Sequence, residues 1–165
     1  MGPRGVLAQA ENIVQRNAYW SIGAGIVPLP VFDIVVITGV QLKMLRELSA
    51  LYGAPFREDV AKKAVMSLMV GVGGVGVGGV LGISLLKLVP VVGAFVGVAS
   101  VPILSGMLAY AVGRTFIMHF ESGGTLLDFD PRAMHEYFRR EYAGARDVVV
   151  ALHKDGGSPG RGRAG

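Results

Sequence analysis

The chain has 165 residues, of which 52% are hydrophobic and only 17% charged, with a mean hydropathy of +0.51. A soluble domain carries about 25% charged residues, so the shortfall points toward lipid. The net charge of +4 suits nucleic acid or anionic lipid equally, and the absence of cysteine excludes disulfides, thiolate metal sites and cysteine nucleophiles.

Residues 1–17 contain Arg4, Glu11 and Arg16 and no apolar core, so no cleavable signal peptide is expected. An apolar segment follows from Ala18 to Val40. It opens on Tyr19 and Trp20, an aromatic pair of the kind found at lipid–water boundaries. Pro28 and Pro30 break it, so two short pieces with a bend are expected, as a re-entrant or interfacial segment. Asp33 is the one acid in an apolar segment, which makes it a candidate intramembrane functional group. Capping a helix that begins at Ile34 accounts for it without a function.

Gln41 to Tyr52 reads as an amphipathic helix with Leu42, Leu45, Leu48 and Leu51 on one face. Gly53 and Pro55 stop it. A new helix starts near Phe56, with Glu58 and Asp59 in its first turn and Lys62 and Lys63 four residues on.

Val60 to Phe120 contains no acid. Within it Ala64–Leu86 is an uncharged run of 23 residues and Leu88–Gly113 one of 26, separated by Lys87. A spanning helix needs about 20 apolar residues, so both runs qualify and a membrane-embedded helical hairpin over 64–113 is the expectation. The alternatives are a hairpin buried in a soluble helical oligomer and a glycine-valine segment without helical register. Gly74, Gly78 and Gly82 fall on one helical face. Gly93 with Gly97, and Ser105 with Ala109 and Gly113, form small-residue faces on the second run, so the two arms are expected to pack on each other or on a second copy. Lys62 and Lys63 precede the hairpin and Arg114 follows it. These membrane-flanking cations place both ends in the cytoplasm by the positive-inside rule, with the hairpin in the cytoplasmic membrane.

Glu121–Gly124 reads as a turn, and Asp130–Pro131 as the start of an amphipathic helix over 131–142. Asp147–Lys154 continues it, and 155–165 reads as a disordered tail after a single helical domain over 1–154. Leu45 and Leu48 on one amphipathic helix, and Tyr137 and Phe138 on the other, are expected to face a partner.

No chemistry emerges. Gly71-x-Gly73-x-x-Gly76 lacks the later acid that a dinucleotide site requires, and no phosphate-binding loop is present. His119, His135 and His153 lack metal-ligand spacing. No catalytic, metal or cofactor residues are therefore assigned, and nucleic acid is not an expected partner because the cations flank the apolar runs.

The order of landmarks resembles a bacterial family catalogued as domain of unknown function 697. The matching pieces are Pro28-Leu-Pro30 with Asp33, Gln41-Leu-Lys43-Met44-Leu-Arg46-Glu47-Leu, Leu51-Tyr52-Gly53, Pro90-Val-Val-Gly93, Ala109-Tyr-Ala-Val-Gly113-Arg114 and Phe120-Glu-Ser-Gly123. The resemblance implies a membrane module that works with a small GTPase, here a separate protein because the chain has no GTPase domain. The expectation is thus an all-α, non-enzymatic membrane protein that anchors, remodels or recruits at the bilayer, as a homo-oligomer. The competing reading is a small oligomeric channel with Asp33 near its pore.

Overall fold

A computed structural model describes residues 2–24, 30–71 and 93–154. Five helices are present among them: α1 (Pro3–Ala24), α2 (Pro30–Leu51), α3 (Glu58–Gly71), α4 (Gly93–Glu121) and α5 (Pro131–Lys154). No strand occurs among the described residues. Gly74, Gly78, Gly82, the Lys87 turn, the bend at Pro28 and the tail 155–165 lie outside the described residues.

Several helix ends follow from local chemistry. Pro30 and Pro131 each occupy the first helical position, where the missing N–H costs no hydrogen bond. Asp130 caps α5 by accepting from the Arg132 N–H at 2.9 Å. The chain leaves α2 and α4 through Gly53 (φ +67°) and Gly123 (φ +86°), and Ala54 and Gly124 donate back to Ser49 and His119. Glu58 in the first turn of α3 pairs with Lys62 at 2.7 Å, as the spacing predicts.

Three boundaries differ from the sequence expectation. Residues 3–17, to which no element was assigned, form most of α1 and take Ala18–Ala24 with them. The remainder of the apolar segment fuses with Gln41–Leu51 into one helix, α2. Its start at Pro30 puts Asp33 three residues inside the helix rather than ahead of it as a cap. Helix α4 does not stop at Gly113 but runs to Glu121.

Helix directions can be read from contacts. Gly113 of α4 lies against Val14 of α1, and Gly106 against Ala18 and Ile22, so α1 and α4 are antiparallel. Arg114 reaches Glu141 while Gly106 meets Val149, so α5 is antiparallel to α4 as well. Tyr52, just past α2, donates to Glu121 at 2.5 Å, which places the C-terminal ends of α2 and α4 together. The core gathers Val14, Met44, Leu45, Leu48, Val65, Leu68, Val112, Phe116, Leu126 and Phe138, all at most 1% exposed.

The ends of the expected hairpin belong to this core. Ala61, Ala64, Val65 and Leu68 on one side, and Pro102 to Gly113 on the other, pack against neighbouring helices rather than standing free. Pro102–Glu121 is the one described stretch long and apolar enough to cross a membrane, yet 67% of it is buried inside the protein. A helix surrounded by α1, α2 and α5 is apolar on most sides for the same reason a lipid-facing one is, so composition cannot separate the two.

Candidate membrane-facing site

The small-residue face of α4 lies against α1. Ser105, Ala109 and Gly113 are buried, and they face α1, whose own stripe is Ala10, Val14, Asn17, Ala18, Ser21 and Ile22. A methyl group built on Gly113 would come within 2.5 Å of Val14 Cγ2 and 3.0 Å of Met44 Sδ. One built on Gly106 would come within 2.8 Å of both Ile22 and Val149. Small residues at these two positions let the α4 backbone approach α1 closely. Gly106 escaped the sequence reading, although it lies seven residues before Gly113 and so on the same face. Gly93 and Gly97 lie in the first turns of α4.

Arg114 is not a free flanking cation. Its Nη1 pairs with Glu11 at 2.7 Å and its Nε lies 3.4 Å from Glu141, which ties α1, α4 and α5 at one height. Burial works against the charged form, but the Glu141 carboxylate and its neighbours outweigh it and hold the guanidinium more firmly protonated than usual. A second clamp joins α1 to α2. Glu47 accepts from Arg16 at 2.7 Å and from Asn17 Nδ2 at 3.0 Å, and Lys43 stands 3.5 Å away. Burial raises the Glu47 pKa, and the Asn17 and Arg16 hydrogen bonds outweigh it to leave the carboxyl below its ordinary range.

The residues expected to face a partner mostly face inward. Leu45, Leu48 and Phe138 are 0% exposed and form the centre of the core, and only Tyr137 remains half-exposed. Their amphipathic stripes are buried by the protein's own helices. Lys62 and Lys63 are exposed on α3.

The helices' own directions bring four ends together. The C-terminal ends of α1 and α5 and the N-terminal ends of α2 and α4 lie on the same side. On α1, α2 and α4 the charges stop well before that side, since 17–24 and 93–113 contain none and 30–42 contains only Asp33, whereas α5 carries Arg146, Asp147 and Lys154 there. At the opposite end Glu11, Glu47, Arg57, Asp59, Arg114, Glu121 and Asp128 crowd the surface. Helices α1, α2 and α4 are therefore polarised along the bundle axis, with exposed Trp20 on their apolar half. Among the described residues no three His, Cys, Asp or Glu side chains come together to hold a metal ion.

A family described as a domain of unknown function (DUF697) matches residues 5–146. Magnetosome membrane protein 22 of Magnetospirillum gryphiswaldense is 38% identical over 143 residues, covering 87% of this chain and 73% of that protein. No solved structure matches the chain.

Proposed function

We propose that this chain, which belongs to the family described as domain of unknown function (DUF697), is a non-enzymatic membrane protein whose helical bundle stands on the bilayer by its charge-poor end. The observation that carries this reading is the meeting of three charge-poor helix ends, those of α1, α2 and α4, on one side of a bundle whose other end is heavily charged. The relative from Magnetospirillum, which is named a membrane protein, supports it. Burying ionised side chains in hydrocarbon is costly, so a bundle polarised in this way has one orientation of entry.

The stretch that lies outside the bundle core is shorter than the uncharged runs. Leu68 and Pro102 are buried in the bundle, which leaves 69–101, 33 residues, between them. Two helical crossings need about 40. We read entry as being from one face, with Lys63 and Arg114 both on the cytoplasmic side. The charged end is then free to anchor or recruit, and the family resemblance points to a separate GTPase as the protein recruited.

Carbonate extraction of membranes and cysteine labelling test this together. Cysteines at Lys63 and Met118, both exposed, should react with an impermeant reagent only from the cytoplasmic side. Labelling of the pair from opposite sides, or full release of the protein by carbonate, would reject the reading.

A further inference from the structure

Four polar atoms inside the bundle are sealed from solvent and meet no hydrogen-bond partner in the chain: Asn17 Oδ1 and Ser21 Oγ on α1, and Oε1 and Nε2 of Gln41 on α2. All three residues are 0% exposed. Folded proteins leave few buried polar groups unpaired, because an orphaned group loses its hydration and gains nothing. Turning the Asn17 amide over does not help. Its Nδ2 donates to the Ile13 carbonyl at 2.9 Å and to Glu47 Oε2 at 3.0 Å. Only the nitrogen can face two acceptors, so Oδ1 points elsewhere and needs a donor.

Packing gathers the three residues. Met44 meets Gly113, and eight residues further along both chains Tyr52 meets Glu121, so α2 runs parallel to α4 and antiparallel to α1. Val14 and Met44 converge on Gly113. Asn17 follows Val14 by three residues and Gln41 precedes Met44 by three, which in antiparallel helices carries both about one turn from that contact in the same direction. Ser21 lies a turn beyond Asn17 on the same face of α1, at the level where Ala18 and Ile22 meet Gly106. Helical side chains lean toward the N-terminus of their helix, so the Gln41 amide leans from the level of Asn17 toward that of Ser21. The face that α4 turns to α1 here, Ser105, Gly106 and Ala109, has no side chain larger than serine.

The atoms decide what such a site takes. A cation would suit Asn17 Oδ1 and Gln41 Oε1 but would face the Nε2 hydrogens of Gln41. An anion would face two amide oxygens. Water both donates and accepts. We propose that Asn17, Ser21 and Gln41 enclose a site for internal water that hydrogen-bonds α1 to α2. An internal water makes about three hydrogen bonds, so these four atoms hold about one or two molecules. The site accounts for a glutamine on the same buried face of α2 as Leu45 and Leu48, and it stands apart from the membrane reading.

Water–protein cross-relaxation in the rotating frame tests this on the isotopically labelled full chain in detergent micelles. In mildly acidic buffer side-chain amide hydrogens exchange slowly, so a direct contact with water is separated from exchange by its opposite sign. The Gln41 side-chain amide, identified by the loss of its resonances in Q41M, should show direct peaks with water. The backbone amide of Leu45, one turn away on the same buried face, should show none. The S21A/S105A variant removes the neighbouring hydroxyls, which can relay magnetisation through their own exchange, and should keep the Gln41 peaks. Absence of water peaks at Gln41 in the wild type overturns the site, and so does their loss in S21A/S105A. A water peak of equal strength at Leu45 also overturns it, because solvent would then reach the core generally.

Discussion

At the scale of single residues, two glycines of ordinary helical conformation have opposite meanings. Gly113 has no room for a methyl group against Val14 and Met44, whereas Gly144 on α5 has nothing within 4 Å. Gly113→Ala should destabilise by about 1–3 kcal/mol through overpacking. Gly144→Ala should stabilise by about 0.5–1 kcal/mol through helix propensity. Denaturant unfolding of the two variants in one detergent checks the contrast, and equal shifts would show that helix propensity alone decides. Phe138→Ala should cost about 3–5 kcal/mol, since the ring is wholly buried in the core. A purified variant with unchanged stability but lost binding would instead restore Phe138 to a partner surface. Gly113 was visible in the sequence because its neighbours Ser105 and Ala109 share its face. The inward direction of Leu45, Leu48 and Phe138 was not, because an amphipathic stripe shows that a face is covered and never by what.

At the scale of elements, the sequence was most legible where local chemistry acts. The stops at Gly53 and Gly123, the acids opening α3 and the Asp130–Pro131 start of α5 were all readable from adjacent residues. Helix α1 was not, because its buried stripe consists of small and polar residues such as Ala10, Asn17, Ala18 and Ser21, which give no apolar period. The fusion of 30–40 with 41–51 was hidden by the drop in hydropathy at Gln41, a buried residue of an unbroken helix. The α1–α2 pair carries a pH dependence. Glu47 is held below its ordinary pKa, so the clamp with Arg16 and Asn17 contributes fully above about pH 4.3, the unfolded value, and is lost as pH falls through the lower folded value. Urea unfolding should thus show less stability at pH 3 than at pH 6, and Glu47→Gln should shrink that difference. An identical acid loss in the variant would assign the effect to other carboxyls, such as Asp128, which the Thr125 hydroxyl and N–H hold low.

At the scale of the whole molecule, the uncharged runs were legible as a membrane signal, but their boundaries were not. Ala64–Leu68 and Pro102–Gly113 are apolar because a protein core surrounds them, and the absence of charge looks the same in either solvent. Helix directions supplied the missing information by placing the charge-poor ends of α1, α2 and α4 on one side. Spin labels on two exposed positions test that polarity most directly, by comparing collisions with oxygen, which favours lipid, and with a water-soluble nickel complex. Gly39 lies on the charge-poor part of α2 with open space around it, and Met118 lies on the charged half of α4. In reconstituted vesicles the label at Gly39 should favour oxygen and the label at Met118 should favour nickel. Nickel-favoured collisions at both positions would contradict entry of the bundle by its charge-poor end.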